Sequence, residues 1–334
     1  MRLQVRILLP QHKIRKLLLQ RLFYFVNCHM AKGTHSYLED NRNKSIKIYV
    51  NGKIVPREYA SISVFDSGFL LGDGIWEGIR LLNEKLVSLD AHLDRLFFGA
   101  KQLDINIGFS RKELIKIIYE TLNANNMKND VHIRLIVSRG LKKTPYQHPN
   151  ANIKGSTIVI IPEYKKADKK VNEKGINLVT VNIRRGTSDT QDPRLNTLSK
   201  LNCILACIEA DKAGADEGIM LDINGNVSTC NSTNFFIIRK GEVWTSKGTY
   251  CLPGITRKMV INICKEKNIP IYERDFSIED VHASDEAFVT GTFAGIIPAI
   301  NIDGYKISNG IRGELTYKLQ EYYSEKLINL YPKI

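Results

Sequence analysis

Alternating apolar and polar residues predict several β-strands in the first half of the chain. Residues 46–50 and 53–55 alternate on either side of Asn51-Gly52, a pair typical of a type I′ hairpin turn. Residues 131–138 and 157–161 are dense in β-branched side chains, which favour the pleated surface of a sheet. We therefore expect one hairpin and two further strands in this half.

Helical spacing is interleaved with these strands. Asp90 begins a predicted helix that runs to residue 103, and Ser110 with Glu113 forms a capping box for a helix that runs to residue 122. In the second half we expect strands at 176–183 and 287–290 and helices at 198–213, 256–267 and 315–327. Strands mixed with a few helices in this way predict an α+β fold.

Composition suggests a division into two domains. Residues 164–175 are rich in lysine and poor in large apolar side chains, so we interpret them as a linker. We expect a smaller domain at residues 46–163 and a larger one at 176–334, and 334 residues are enough for two hydrophobic cores. Residues 1–45 precede the first predicted strand, and we expect this extension to lie outside the fold.

The net charge of +13 is distributed unevenly. Residues 1–29 contain no acidic residue, and their basic residues are Arg2, Arg6, Lys13, Arg15, Lys16 and Arg21. Along the rest of the chain lysines alternate with acids, whereas a nucleic-acid binder would cluster its basic side chains on one face. We therefore expect no nucleic-acid partner.

Residues 1–29 allow two interpretations. They are basic and free of acids, like an organelle transit peptide, but they almost lack serine. Alternatively, Met30 is the true start and the preceding residues are an over-extended reading frame. We favour Met30 and a cytoplasmic location, with organelle import as the alternative. No apolar run approaches the roughly 20 residues of a spanning helix, so we expect no membrane association.

The six cysteines show no metal-ligand spacing. They form no Cys-x-x-Cys pair and no Cys/His pattern of the kind that binds zinc. We interpret them as reduced thiols and expect no metal site.

Two segments near the C-terminus have the composition of phosphate-binding turns. In residues 251–257 a Pro-Gly turn opens a predicted helix at Ile255 and Thr256, and in residues 285–294 an apolar strand ends in Thr290-Gly-Thr292. Free amides at helix starts and turns, with hydroxyls beside them, suit a phosphate dianion. Together the segments predict a phosphorylated ligand held from two sides.

At this point the chain resembles the fold-type IV pyridoxal-phosphate enzymes, the class IV aminotransferases. That family includes branched-chain aminotransferase, D-amino-acid transaminase and aminodeoxychorismate lyase. The resemblance covers about residues 46–330 and is carried by motifs at residues 72–80, 92–96, 214–218, 231–236, 252–257 and 289–292. It implies a smaller N-terminal α/β sandwich-like domain, a larger C-terminal β-barrel-like domain with helices, and pyridoxal 5'-phosphate as cofactor.

The resemblance also implies residues for the cofactor phosphate. Arg95 would face it with a guanidinium, a planar donor group suited to phosphate. Ile255 and Thr256 would offer backbone amides and a hydroxyl to the same group. Thr292 would add one more contact from the second turn.

The family's cofactor-linking lysine is missing from its usual place. An ungapped alignment puts Asn196 at that position, and Lys200 is the nearest lysine. If the helix already includes both residues, they share a face about 6 Å apart and Lys200 can substitute from one turn along. Alternatively, the preceding loop is four residues longer and the helix shorter. In both cases we expect Lys200 to be the catalytic lysine.

A second departure concerns Thr229, which stands where the family carries a glutamate. That acid pairs with the pyridine nitrogen of the cofactor and strengthens the ring as an electron sink. A neutral hydroxyl stabilises a pyridinium less well, because charge-assisted hydrogen bonds are about twice as strong as neutral ones. Efficient transamination is therefore in question, although cofactor binding is not.

The remaining motifs concern the substrate. We expect Phe69, Trp76 and the strand at 132–139 to line the pocket, and Arg139 to hold the substrate carboxylate as in the D-amino-acid transaminase branch. The preferred function is amino transfer between a branched-chain L-amino acid and a 2-oxo acid, with D-amino acids as an open alternative. A lyase of the aminodeoxychorismate type and a non-catalytic relative are the other readings. The family implies a homodimer or larger homo-oligomer.

A shortened chain tests the interpretation of the N-terminus. Protein beginning at Met30 should keep its melting temperature and its cofactor content, because the acid-free residues before it resemble nothing else in the chain. The measurement is thermal unfolding of both lengths side by side. Insolubility, or a melting temperature lower by several degrees, would show that residues 1–29 stabilise the fold.

Overall fold

The computed structural model describes residues 33–333, which form an α+β fold around two large sheets. The first sheet has six strands in the order β3-β2-β7-β6-β4-β5. Its strands are β2 (Lys47–Val50), β3 (Lys53–Pro56), β4 (Gly74–Leu82), β5 (Lys85–Leu86), β6 (Val131–Ser138) and β7 (Thr157–Tyr164). All of its pairings are antiparallel.

Local signals in the sequence account for this half of the fold. Asn51 and Gly52 both have positive φ, 44° and 90°, as the predicted type I′ turn requires. Ser110 caps a helix through the predicted reciprocal bonds with Glu113. Three helices belong to this half, namely α1 (Ser67–Leu71), α2 (Leu89–Gln102) and α3 (Arg111–Asn123). The apolar faces of α2 and α3 and the buried positions of the sheet form one core.

The second sheet has nine strands and curls into a half barrel. Its order is β11-β10-β9-β16-β15-β12-β13-β14, with β17 paired to β16. The strands are β9 (Ile176–Thr180), β10 (Glu217–Leu221), β11 (Val227–Cys230), β12 (Asn234–Arg239), β13 (Glu242–Thr245), β14 (Ile271–Glu273), β15 (Glu286–Gly291), β16 (Gly295–Ile302) and β17 (Tyr305–Lys306). The central strands β10 and β12 are buried almost throughout, so they read as continuous rather than alternating apolar runs.

Helices cover this second sheet, and two apolar cores lie against it. The described helices are α4 (Lys169–Lys174), α5 (Ser188–Gln191), α6 (Leu201–Lys212), α7 (Ile255–Glu266), α8 (Ile278–His282) and α9 (Glu314–Leu330). None of the helices within residues 33–333 is long and apolar enough to cross a membrane.

The structure corrects the predicted extent of the N-terminal extension. Residues 33–45 were expected to lie outside the fold, but Thr34 is buried and β1 (Tyr37–Leu38) pairs with β8 (Lys166–Ala167). These contacts join residues more than a hundred positions apart, which no local pattern reveals. The same pairing, together with α4, gives regular structure to much of the predicted linker, and the two-domain division stays a prediction. Residues 1–32, including the questions about the transit peptide and Met30, lie outside the described residues.

Candidate active site

A cavity of about 430 Å³ is lined by residues of both sheets. Trp76 on β4 and His132 and Arg134 on β6 line it from the first sheet. Thr229 at the end of β11 and Thr290 on β15 line it from the second. Residues far apart in the sequence therefore meet at one site.

The two predicted phosphate turns meet at this cavity. Ile255 and Thr256 begin α7, whose first amides have no partner within the helix, and Thr292 follows β15. The helix is preceded by Gly254, where a Cβ would lie 1.9 Å from Asn234 Oδ1, so only glycine fits. Asn234 Nδ2 in turn donates to the carbonyl of Leu252 at 3.0 Å and fixes the turn.

Thr290 contributes an unpaired hydroxyl to the same wall. Its side chain is only 2% exposed, and its Oγ1 has no hydrogen-bond partner among the described residues. Leaving a buried hydroxyl unpaired costs about 1–3 kcal/mol. An anionic ligand in the cavity would remove that cost by accepting a hydrogen bond from the Thr290 hydroxyl.

Arg95 reaches the cavity from α2 through a buried ion pair. Its Nε and Nη2 donate to Glu77 at 2.7 and 2.8 Å, and its Nη1 donates to the Pro253 carbonyl at 3.0 Å. Glu77 is fully buried and also contacts His92 Nδ1 at 2.7 Å. Burial opposes ionisation of Glu77, but the hydrogen bonds from Arg95 and His92 outweigh it and keep the pKa of this carboxyl below its usual value. The pair fixes Arg95 beside the turn that precedes α7.

Lys200 presents its amine to the cavity from the residue just before α6. Its Nζ donates to Asn196 Oδ1 at 3.1 Å, and Asn196 Nδ2 donates to the Trp76 carbonyl at 2.7 Å. Burial, together with the positive charges of Arg185, Arg95 and Arg134, lowers the pKa of Lys200 to about 8, although Cys203 opposes this effect. A substantial fraction of this amine is therefore neutral near physiological pH.

The backbone around Lys200 decides between the two predicted geometries. Lys200 has φ −113° and ψ 12° and caps α6, which begins at Leu201. Residues 196–200 are therefore a loop, and the version with a longer loop and a shorter helix is the one observed. The predicted helix start at residue 198 is wrong, because the Trp76 and Gly74 backbones hold Asn196 and Leu198 in bridge pairing instead.

Thr229 is buried in the cavity wall, and its hydroxyl already donates a hydrogen bond within the protein. Its Oγ1 donates to the carbonyl of Thr233 at 2.7 Å, and the residue is 6% exposed. A hydroxyl has one proton, so only its lone pairs remain for a ligand. This position cannot donate a second hydrogen bond or supply a negative charge.

A group of nitrogen-bearing side chains lines the wall beside Trp76 and Phe293. Arg134 stacks on the indole of Trp76 at 3.6 Å, and Lys200 Nζ lies 5.5 Å from the same ring. Lys165 Nζ lies 4.8 Å from the ring of Phe293, which His132 meets edge-on. Burial and the neighbouring cations lower the pKa of His132 to about 3, so it is neutral. Neither Arg134 nor Lys165 forms an ion pair with a carboxylate of the described residues.

Two expected substrate residues are not brought to this cavity. Arg139 donates to Asp73 through Nε and Nη2 at 2.7 and 3.0 Å, and its remaining donors bind backbone carbonyls. Side chains alternate along a strand, so Arg134 and Arg139, five residues apart, point to opposite faces. Phe69 lies on α1 with 66% of its surface exposed. Arg134, a strand position that alternation could have selected, lines the cavity of the described chain, and Arg139 does not.

A model of the family described as amino-transferase class IV matches residues 74–302. The chain belongs to the class IV aminotransferases. The family model covers all strands of the two sheets except β2, β3 and β17, and it includes the cavity residues from Trp76 to Phe293. The α+β fold predicted from the sequence is confirmed with it.

Several class IV aminotransferases are similar to this chain. Branched-chain-amino-acid aminotransferase-like protein 2 of Arabidopsis thaliana is 38% identical over 91% of the chain and 56% of its own length, so the chain spans about half of that relative. A Methanocaldococcus jannaschii protein, provisionally named a branched-chain-amino-acid aminotransferase, is 38% identical over 84% of the chain and 96% of its own length. D-alanine aminotransferase of Listeria monocytogenes is 32% identical over 84% of the chain and 96% of its own length.

A solved class IV aminotransferase bears on the cofactor. The branched-chain amino acid aminotransferase of T.th., solved with pyridoxamine 5'-phosphate, superposes with a TM-score of 0.80, at 28% identity, over 87% of this chain and 96% of its own. The cofactor of the family is pyridoxal 5'-phosphate. The described residues fit it, because a buried amine, a helix start and the unpaired Thr290 hydroxyl converge on one cavity.

The depressed pKa of Lys200 makes its reactivity depend on pH. Cofactor capture by the apoprotein should rise with pH and reach half its maximum near pH 8, rather than near the usual lysine value of 10.5, because only the neutral amine is nucleophilic. The measurement is the rate of absorbance change after mixing with pyridoxal 5'-phosphate between about pH 6 and about pH 9.5. Lys200→Met is the control and should show no such titration; a midpoint above this range contradicts the prediction.

Thr229→Glu tests the tuning of the cofactor ring. An opposite charge at hydrogen-bond distance raises the pKa of a cation by about 1–3 units, so a half-reaction limited by the ring should accelerate roughly tenfold. Single-turnover rates and cofactor affinity are measured together. Thr229→Gln controls for the added volume without the charge. Equal rates in the two variants at equal affinity would mean that the ring nitrogen is not the partner of residue 229.

Proposed function

We propose that this protein is a pyridoxal-phosphate-dependent aminotransferase that moves an amino group between a branched-chain L-amino acid and a 2-oxo acid. The observation that carries the proposal is the contact of Lys200 and Arg134 with the same indole, that of Trp76. One side chain offers an amine that is partly neutral near physiological pH, and the other offers a guanidinium that has no carboxylate partner among the described residues. An α-amino acid has its amino and carboxylate groups on one carbon. It can therefore place its amino group near Lys200 and its carboxylate near Arg134 at the same time.

The residues divide into three roles in this proposal. The cofactor phosphate is held by Arg95, Ile255, Thr256, Thr290 and Thr292. The substrate carboxylate is oriented by Arg134, and the proton is transferred by Lys200. When bound, pyridoxal phosphate supplies an electron sink for the negative charge that develops at the substrate α-carbon.

The Lys200 amine takes the proton from that carbon. In the second proton transfer of the half-reaction, the same amine gives the proton up to the cofactor. A base with a pKa near the working pH does this efficiently, because both of its protonation states are populated. The hydrogen bond to Asn196 holds the amine in place between the two proton transfers.

Apolar side chains around the cavity support a branched-chain substrate. They are Trp76, Ile204, Leu252, Val289, Phe293 and Ile297. A hydrocarbon side chain gains about 25 cal/mol for each Å² that it buries against such a wall. The similarity to D-alanine aminotransferase keeps the D-amino acid alternative open. Asn196 and Thr229 keep the non-catalytic relative open, and a lyase remains the other enzymatic reading.

Partners and organisation belong to the same proposal. Helix α6 leaves Leu201, Ile204, Leu205 and Ile208 exposed by 65%, 51%, 43% and 45%. An apolar helix face of this kind favours contact with another protein surface, and we propose a homodimer that covers it. We also propose that residues 46–163 and 176–334 are the two domains.

Moving the lysine between positions 196 and 200 tests which residue links to the cofactor. Borohydride reduction of the cofactor-loaded protein, followed by peptide mapping, should place the pyridoxyl group on Lys200. Lys200→Met should lose the label, and the double variant Asn196→Lys with Lys200→Met should carry it at residue 196, because the two side chains meet at 3.1 Å. Lys212→Met, at the exposed end of α6, serves as the matched control and should keep the label on Lys200.

The same preparations give the substrate class. A screen of L- and D-amino acids, read from the cofactor spectrum, should show conversion with L-leucine, L-isoleucine or L-valine. Label on a lysine other than Lys200 would overturn the assignment of the base. Correct labelling without spectral change for any donor would instead support the non-catalytic alternative.

A further inference from the structure

Residues 33–38 lie outside the part of the chain that matches the family model, yet two of them line the active-site cavity. The match begins at residue 74, whereas Thr34 and His35 belong to the cavity wall. They form a single 3-10 turn, Gly33–His35, that is followed directly by β1. The segment therefore brings side chains to the site that the matched region does not supply.

A buried carboxylate anchors this segment. Thr34 Oγ1 donates to Glu217, which is 1% exposed, and Glu217 also accepts bonds from Ser232 Oγ and Thr233 Oγ1, each at 2.8 Å. Ser232 and Thr233 line the cavity as well. Three hydroxyl groups therefore donate to the Glu217 side chain, and one of the three comes from residues 33–38.

Backbone and ring contacts hold the other end. Tyr37 pairs with Ala167 across β1 and β8, and Lys165 Nζ lies 4.7 Å from the Tyr37 ring and 4.8 Å from that of Phe293. At Gly33, with φ 59°, a Cβ would lie 2.7 Å from the Cβ of Asp216. The turn is thus fitted closely against the loop that precedes β10, and it also restrains Lys165.

His35 is the side chain that this arrangement delivers to the site. It lines the cavity with His132, Arg134 and Lys165. Among the described residues, no side chain forms a hydrogen bond or an ion pair with His35. The His35 residue remains solvent-exposed on one side, and the loss of solvation on its cavity side, with the charges of Lys165 and Arg134, lowers its pKa against the opposing influence of Glu217. A neutral imidazole keeps one N–H, which can be donated to an anion.

We propose that His35 determines specificity by donating a hydrogen bond to the substrate carboxylate, and that Thr34 positions it by anchoring the segment to Glu217. The inference rests on the proposed function, since it assumes a carboxylate at Arg134. Arg134 supplies the charge, and His35 supplies a directional donor from a different part of the chain. The site then prefers a carboxylate over a neutral group of the same shape.

Calorimetric titration of the cofactor-loaded protein with two ligands of one shape tests this. The probes are 4-methylpentanoate and its uncharged counterpart 4-methylpentanamide. The unmodified protein should bind the carboxylate more tightly. His35→Ala should weaken carboxylate binding about tenfold and amide binding less than about twofold, as expected for one hydrogen bond to a charged group. His35→Gln, which restores an N–H donor, should recover most of the loss.

The controls separate position from chemistry. His148→Ala alters an exposed histidine outside the cavity and should change neither affinity. Thr34→Val keeps the shape but removes the bond to Glu217, so it should weaken carboxylate binding in the same direction. Combined with His35→Ala it should add little, because both act through one imidazole.

The outcomes distinguish this inference from the function on which it rests. Equal weakening of both ligands by His35→Ala would mean that the residue is structural and would overturn its role. Unchanged affinity for both ligands in His35→Ala would overturn that role alone, because Arg134 accounts for only part of the carboxylate preference. An unmodified protein without any preference for the carboxylate would overturn the proposed function together with it.

Discussion

The site depends on one junction between the two sheets, where the backbone of β4 pairs with the loop before α6. Trp76 N donates to the Asn196 carbonyl at 3.0 Å, Asn196 Nδ2 returns a bond to the Trp76 carbonyl, and Leu198 N donates to the Gly74 carbonyl at 2.9 Å. Trp76 Nε1 also donates to the Thr197 carbonyl at 3.1 Å. These bonds fix the loop on which Lys200 stands, so the position of the amine is set by a strand of the other sheet.

The charges of the site follow a simple division between paired and unpaired groups. Arg139 is paired with Asp73 outside the cavity, whereas Arg95 is held by the buried Glu77 beside the turn where we propose that the cofactor phosphate stays bound. Removing one partner of a buried pair typically costs about 3–5 kcal/mol, which makes such groups poor candidates for binding a ligand that comes and goes. Arg134 and Lys165 instead rest on aromatic faces. Their charge remains available to an anion, while their stems are held in place.

The sequence was most informative where the signal is local. The hairpin at Asn51-Gly52, the capping box at Ser110 and the bounds of β6 follow from nearest neighbours, and the observed structure agrees with each. The two turns near the C-terminus were recognisable because a Pro-Gly turn opening a helix and a strand ending in Thr290-Gly-Thr292 both have local sequence signals, and the structure brings both to one cavity. The role of Arg139 stays a prediction, since it does not line the cavity of the described chain, whereas strand alternation could have selected Arg134 as a cavity residue.

Residues 33–45 could not be placed from the sequence, since their partners are distant and their own pattern is weak. Neither the pairing of Tyr37 with Ala167 nor the buried position of Thr34 leaves a trace in the surrounding residues. The loop before Lys200 is a similar case. Its conformation comes from β4, some 120 residues earlier, as the separation of Asn196 and Trp76 shows.

The bond between Thr34 and Glu217 has a consequence for the order of events during synthesis. The two residues are 183 positions apart, and ribosomes add roughly 5–20 residues per second. Thr34 therefore emerges on the order of 10–40 s before its acceptor exists. Once residue 164 has been added the first sheet can form, because all of its strands are then made, but one wall of the cavity is absent until Glu217 and the strands around it follow. The turn at Gly33–His35 is made before both sheets but docks late, so residues synthesised ahead of either sheet complete the site.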